Sequence, residues 1–348
     1  MDTNAAQNLL GLTLRTGWVV KEKITKSLTS TGSFFSVCYK VEKNGEICFL
    51  KAFDFAKFFQ MSEPNKEVVD IMGDMIKAFQ YERDLSYHCK KFHVTKVAFV
   101  KEAGQEIISG FSISIVPYLI FDLADGDVRS RLKYSGKLDF AWKLKSLHDI
   151  AVGLKQLHAI EVSHQDLKPS NILIFNSESK LGDLGRSICR NLESPYDGIY
   201  FAGDFNYAPP EIMYRYFDED WHRRVFATDC YLLGSMVVFY FSGISMSALL
   251  LKHVPKNFRW EIWRGSFNEI KPYLADAFVK AISEFKESID HPFFKNELSQ
   301  VVEYLCFPFP EKRGHPRTIE LRGSNFNLER FVTKFDLLKL KAEYLLNR

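Results

Sequence analysis

Hydrophobic positions in the first third of the chain follow a short-range pattern. GWVVKEK (17–23), FFSVCYKVEK (34–43) and EICFLKAFDF (46–55) are runs of aromatic and β-branched residues. Asn44-Gly45, between the last two, is the dipeptide that closes a two-residue hairpin. The period then changes. In EVVDIMGDMIKAFQYERDLSYHCKKF (67–92), Val69, Met72, Ile76, Phe79 and Leu85 recur at helical spacing. VAFVKEA (97–103) and SISIVPYLIFDL (112–123) return to strand character. From residue 127 onward helical patterns dominate. LDFAWKLKSLHDIAVGLKQLHAI (138–160) is long, apolar at three-and-four spacing and free of proline. The tail LERFVTKFDLLKLKAEYLL (328–346) is amphipathic, with Phe331, Phe335, Leu338 and Leu345 as its apolar stripe. The expectation is a small sheet-rich lobe and a larger helical lobe, joined near residues 121–127.

Composition narrows the class. The 348 residues are 46% hydrophobic and 26% charged, ordinary values for a globular chain. A net charge of +3 carries no polyelectrolyte signature, so nucleic acid is not an expected partner. Six scattered cysteines, with no CxxC pair and no secretory signal pattern, read as reduced thiols in a cytoplasmic setting. Residues 230–251 contain no charge and meet the length rule for a membrane span. The expected reading is a buried core helix that ends at Ser242-Gly243. SMSALLLKHV (245–254) is then an apolar insertion, with contact to a partner or a membrane surface as its conceivable use.

The chemistry concentrates in HQDLKPSN (164–171). Phosphoryl transfer needs a group to orient the attacking hydroxyl, oxygens to hold a divalent cation, and positive charge for the phosphate. Asp166 can accept or orient the hydroxyl proton. Lys168 can reach the transferring phosphate, and Asn171 can ligate Mg²⁺. Twelve residues beyond Asn171, LGDLGRS offers Asp183 as a second hard oxygen ligand.

HQDLKPSN followed by DLG resembles the eukaryotic-like Ser/Thr protein kinase family, whose common forms are HRDLKPxN and DFG. The resemblance extends over roughly residues 18–325. It implies an α+β, bilobal protein-kinase fold: an extension at 1–17, the small lobe and hinge at 18–124, the large lobe at 125–325 and an amphipathic helix at 326–348. It implies ATP and Mg²⁺, with Mn²⁺ as a substitute, a protein substrate, and autophosphorylation as a further route. Lys51 stands where the family has its phosphate-gripping strand lysine. Glu82 stands as that lysine's helix partner, although it lies 31 residues away; Glu67 and Asp70 are weaker choices. STGSFFSV (30–37) aligns with the phosphate-covering loop but keeps only Gly32 of its glycines, with Val37 as a lid over adenine. Phe121 takes the gatekeeper place, Asp122 to Ala124 offer backbone bonds to adenine, and Asp127 a bond to ribose. Glu211 in YAPPEIM and Arg313 form the family's buried pair. Asp229 matches the aspartate that bonds the catalytic-loop backbone.

Two departures carry information. Gln165 replaces the arginine that a phosphorylated activation segment commonly neutralises, so activity is expected not to need that phosphorylation. Asp204 stands where a threonine usually bonds the catalytic Asp and Lys; it can pair with Lys168 but repels Asp166. The leading reading is an active Mg·ATP-dependent Ser/Thr kinase, of the stand-alone bacterial kind. The alternatives are a pseudokinase or ATP-binding scaffold, and a small-molecule kinase, against which Lys168 argues.

Overall fold

The computed structural model describes residues 4–25, 35–61, 66–134, 140–320 and 325–346. In the small lobe β1 (Val19–Ile24), β2 (Ser36–Lys43) and β3 (Glu46–Phe53) form an antiparallel meander. Asn44 and Gly45 both take positive φ, 53° and 80°, which is the twist a two-residue hairpin requires. After β3 come α1 (Phe55–Met61) and α2 (Val68–Lys91), then β4 (Val100–Ile107) and β5 (Ile115–Asp122). The sheet order is β1-β2-β3-β5-β4.

The sequence pattern gave no sign of α1. Its seven residues are too few to display a period, and Phe58 and Phe59 read equally well as strand. Asp54 Oδ1 caps it by accepting the Lys57 N–H at 2.9 Å. The helix occupies the long connection between Lys51 and Glu82 and packs with Ile71 and Met75 of α2. The segment ahead of residue 18 is more than an extension. Ala5, Ala6, Leu9 and Leu14 are buried against the outer face of the sheet, Tyr39 donates to the Ala6 carbonyl at 2.7 Å, and Thr16 Oγ1 meets the Tyr118 hydroxyl at 2.8 Å.

The large lobe begins with β6 (Gly126–Asp127), α3 (Val128–Tyr134) and α4 (Phe140–Ala159). Four short strands follow: β7 (Val162–Ser163), β8 (Ile172–Phe175), β9 (Glu178–Leu181) and β10 (Ile188–Cys189). They pair as β10-β7 and β6-β8-β9, and so fix both ends of the loop at 164–171. Beyond lie α5 (Pro210–Met213), α6 (Trp221–Ser242), α7 (Met246–His253), α8 (Phe267–Glu287), α9 (Pro292–Leu305), α10 (Pro316–Glu320) and α11 (Glu329–Leu346).

The uncharged run lies in the centre of this lobe. Every residue of α6 from Val225 to Val238 is buried, and the helix stops at Gly243 in a left-handed conformation, φ 78°. A helix apolar all round needs a core on every side, and this one has it. The segment 245–254 is corrected by the same packing. Met246, Leu249, Leu250 and Val254 are buried, so no apolar face is left for a membrane or a partner. On α11 the stripe that docks on the lobe is Phe331, Phe335, Leu338 and Ala342. Leu345, expected in that stripe, is 37% exposed, because three residues beyond Ala342 it has turned to the rim of the contact.

Candidate active site

Sheet register decides which side chains reach the cleft between the lobes. Residues opposite one another on paired strands share a face, and neighbours along a strand alternate. Lys51 pairs with Cys38 on β2 and Leu119 on β5, and Phe49 pairs with Phe121. Phe49, Lys51, Leu119 and Phe121 therefore share the face of Lys51, and the Phe49 and Phe121 rings lie 6.3 Å apart. Val37 pairs with Ala52 and packs with Tyr39, Leu50, Tyr118 and Ile120 on the opposite face. Its expected place over adenine is corrected: one residue of offset moves a side chain to the other side of a sheet, and it is Cys38, buried, that shares the face of Lys51. Gly32 lies outside the described residues.

Lys51, Glu82, Asp166, Lys168, Asp183 and Asp204 line one open cleft of about 1550 Å³. Helix α2 delivers Glu82 to Lys51, whose ammonium meets both carboxylate oxygens at 2.8 Å. The same ammonium donates to Asp183 Oδ1 at 2.9 Å. Glu67 sits at the exposed N-terminus of α2 and Asp70 faces solvent, so neither takes part. Asp183 is held with φ 56°, left-handed, ahead of a single 3₁₀ turn.

The catalytic-loop candidates are fixed by the buried helix behind them. Asp229 of α6 accepts the backbone N–H groups of His164 at 2.8 Å and Gln165 at 2.9 Å, and its carboxylate also contacts His158 Nε2 at 2.9 Å. Asn171 Nδ2 donates to the Asp166 carbonyl at 2.8 Å and to Asp166 Oδ2 at 3.0 Å. Lys168 Nζ lies 3.0 Å from Asp166 and 3.5 Å from Asp204. The repulsion expected between the two aspartates is relieved in two ways. The Lys168 ammonium bonds both, and the Asp204 backbone N–H donates to Asp166 Oδ1 at 2.9 Å. This approach depends on Gly203, where a Cβ would stand 2.2 Å from the Gln165 carbonyl oxygen.

Charge and burial set the protonation. Burial pushes the Asp166 carboxyl above its ordinary value, against the pull of Lys168. Burial acts upward on Asp183 too, but the Lys51 ammonium beside it outweighs this and holds the carboxyl at about 2. Burial opposes the charge on Lys51, and Asp183 and Glu82 overcome it, so the ammonium is held more tightly than usual.

The hinge residues stand apart from this cleft. Asp122 ends β5 opposite Cys48, with its carboxylate 3.5 Å from Lys101 and largely exposed. Ala124 is half-buried in the linker. Asp127 caps α3 by accepting the Ser130 N–H at 2.8 Å and the Ser130 hydroxyl at 3.3 Å, a local use that engages both carboxylate oxygens. Among the described residues, none of Phe121, Asp122, Ala124 and Asp127 lines the cleft that holds Lys51 and Asp166. Sequence reasoning passed over Phe49, although its place two residues before Lys51 on the same strand face was the available signal. It also passed over Arg186 and Tyr196, which line the cleft from a segment without a period.

Away from the cleft, Arg313 grips Glu211 through both guanidinium nitrogens at 2.5 Å, both groups buried.

Comparison with known proteins accords with this architecture. The family model for the protein kinase domain matches residues 44–314, beginning beyond the β1–β2 ladder. The chain belongs to the protein kinase domain family. It is similar to the probable serine/threonine-protein kinase gdt8 of Dictyostelium discoideum, 25% identical over 69% of this chain and 17% of that protein. It is 32% identical to the serine/threonine-protein kinase greatwall of Xenopus tropicalis over 34% of this chain and 12% of that protein. An Aurora kinase of Debaryomyces hansenii is 30% identical over 28% of this chain and 24% of its own length. The chain therefore spans less than a quarter of the length of each of these curated relatives.

Proposed function

We propose that this domain transfers the γ-phosphate of Mg²⁺·ATP to Ser or Thr hydroxyls of protein substrates. The observation that carries the reading is the convergence of two charge sets in one cleft. One is Lys51 held by Glu82 and Asp183; the other is Asp166 with Lys168 and Asn171.

The residues fit the group. Lys51 engages Asp183 only through Oδ1, and the Asp183 side chain is 26% exposed. Asp183 and the Asn171 amide oxygen would hold the cation, as a hard-oxygen donor set suits Mg²⁺. Lys51 would bind phosphate oxygens. Bound Mg²⁺·ATP supplies the transferable phosphoryl group and the charge that neutralises it. Asp166, its basicity raised by burial, receives or orients the hydroxyl proton of the acceptor. Lys168 places a positive charge between acceptor and phosphate. Glu82 keeps Lys51 from swinging out of the cleft. The named relatives and Lys168 both favour Ser/Thr acceptors.

Gln165 supports activity without activation-segment phosphorylation. It is buried with φ 63° and carries no charge to neutralise; its amide donates to Ser163 Oγ at 2.7 Å and to the Val225 carbonyl at 3.0 Å. The segment is already tied down. Arg186 donates to the Ala202 carbonyl at 2.7 Å, Tyr81 to the Ser187 carbonyl at 2.8 Å, and Tyr200 to the carbonyls of Glu211 and Tyr216 at 3.0 and 2.8 Å. Six free, buried cysteines support a reducing, cytoplasmic setting. A scaffold that binds nucleotide without transfer is the second reading, favoured by the Asp204 carboxylate beside Lys168.

The test is transfer of labelled γ-phosphate with Mg²⁺, to the protein itself and to a basic protein, by the intact chain, Asp166→Ala and Asp183→Asn. Transfer that falls by about 10²–10⁴-fold in Asp166→Ala and is lost in Asp183→Asn supports the kinase reading. Nucleotide binding without transfer by the intact chain selects the scaffold.

A further inference from the structure

Helix α11 has two faces. Phe331, Phe335, Leu338 and Ala342 are buried against the lobe beside α4. Arg330, Thr333, Leu337, Leu340 and Tyr344 are exposed, and they recur at steps of three and four residues, the repeat of a coiled-coil seam. Leu337 is 58% exposed, Leu340 51% and Tyr344 49%. At about 100° per residue, this seam lies roughly 150° around the helix from the docked face, so a second helix can approach without meeting the lobe. A scattered surface leucine needs no explanation, but Leu337, Leu340 and Tyr344, exposed together at one heptad's spacing on a helix already anchored on its other side, do.

The charges along the seam identify the occupant. Glu329, Asp336 and Glu343 flank one edge, and Lys334 and Lys341 flank the other. An antiparallel copy would set lysine against lysine and acid against acid. A parallel copy sets Glu329 against Lys334 of the other copy, and Asp336 against Lys341, at the five-residue offset of parallel coiled coils. By two-fold symmetry each pair occurs twice. Glu329 and Lys334 already touch Lys155 and Glu297 of their own chain, and Asp336 lies 2.7 Å from Lys339. The Lys155–Glu329 pair is a surface pair of small worth, and the half-buried Lys334 ammonium, with three donors, keeps capacity for a second chain beyond Glu297. We propose that the Arg330–Tyr344 seam of α11 pairs, in parallel, with the same seam of a second copy of this chain. The helix thus holds two kinase domains on opposite sides of a common axis.

The test is sedimentation equilibrium of the full chain between about 1 and 300 µM, the range suited to an interface of this size. The expected result is reversible dimerisation that Leu337→Glu/Leu340→Glu weakens at least tenfold, with an unchanged melting temperature. Since the native cysteines are buried, Thr333→Cys is expected to cross-link to itself on mild oxidation, as equal residue numbers face each other only in a parallel pair. A chain that stays monomeric over this range overturns the proposal, as does a dimer indifferent to the two glutamates. A dimer in which Thr333→Cys does not cross-link overturns the parallel arrangement. Should the double glutamate variant unfold, Glu329→Lys/Asp336→Lys gives a second reading. It should dimerise poorly alone and recover when mixed with Lys334→Glu/Lys341→Glu, and failure to recover counts against the seam.

Discussion

Two groups of buried charge in this molecule are built from the same chemistry and behave differently. Glu211 and Arg313 form a closed pair, one carboxylate for one guanidinium, with Arg313 wholly buried and further bonded to the carbonyls of Phe307 and Ala227. Lys51, Glu82 and Asp183 form an open set, one ammonium for two carboxylates, on the wall of a cleft. The closed pair has every polar group satisfied and nothing to exchange. The open set carries a surplus negative charge beside solvent, where an incoming cation would be welcome. The difference separates a structural ion pair from one poised to change partners.

Breaking the closed pair should give the largest loss of stability. Arg313→Met leaves the Glu211 carboxylate buried without its partner, at a cost of about 3–5 kcal/mol. The melting temperature should fall by on the order of 10 °C in calorimetry. Adding Glu211→Met to Arg313→Met should recover much of that loss, since an apolar pair of similar volume replaces a satisfied ionic one without stranding a charge. A double variant no more stable than the single one would mean that the carbonyl bonds of Arg313 matter more than the pair.

Lys51→Met probes the open set and should cost less, because its carboxylates can take up protons. In the native protein the Asp183 carboxyl is held at about 2 by Lys51. A depressed carboxylate contributes stability above its unfolded value, near 4, and loses it as the pH falls toward 2. Burial already raises the Glu82 carboxyl in the native protein; without Lys51, Glu82 rises further and Asp183 rises with it, so the folded state binds protons more tightly than the unfolded one. The deficit of Lys51→Met relative to the native chain should therefore be small near pH 4 and grow toward pH 8. A pH-independent deficit would show that Lys51 stabilises by packing alone.

The same contrast explains what could be read from the sequence. The candidate side chains in a short run, Asp166, Lys168 and Asn171, were expected together and do meet in the structure, because a loop this short leaves them little room to separate. Glu211 and Arg313 lie far apart in the chain, and only the family resemblance brought them together. Long elements were legible too: the helix expected over 67–92 is Val68–Lys91, and that over 138–160 is Phe140–Ala159. Quantities fixed by register were not. Val37 and Cys38 differ by one step along a strand, and only the pairing with Lys51 decides which shares its face. The helix Phe55–Met61 was missed because its phenylalanines suit either period. Phe49 was missed because an apolar strand residue does not announce the aromatic partner across the sheet.

A finer probe of the open region is the pH dependence of transfer. Burial raises the Asp166 carboxyl above its ordinary value, and in the role proposed for it Asp166 acts in the ionised form. The acid limb of kcat/KM should therefore lie above the usual carboxylate range, with activity rising as the pH passes through it. Lys168→Met removes the charge that opposes this elevation and should move the limb further up. A limb that stays in place in Lys168→Met would assign it to another group.

The smallest effect is expected at Gln165, and its smallness is informative. The Gln165 amide bonds Ser163 Oγ and the Val225 carbonyl deep in the large lobe. Gln165→Met keeps the length but removes the donor, and should lower the melting temperature by a few degrees, a loss of about 1–3 kcal/mol. Gln165→Asn shortens the reach and should cost less. Neither should make transfer depend on prior phosphorylation, because neither supplies a positive charge. Treatment of the purified native chain with a phosphatase should accordingly leave its rate within about twofold, a change of 0.4 kcal/mol in barrier. A rate that collapses on phosphatase treatment would mean that another cation of the segment, Arg186 or Arg190, carries the role Gln165 cannot. The open region would then be closed by phosphate rather than by its own hydrogen bonds.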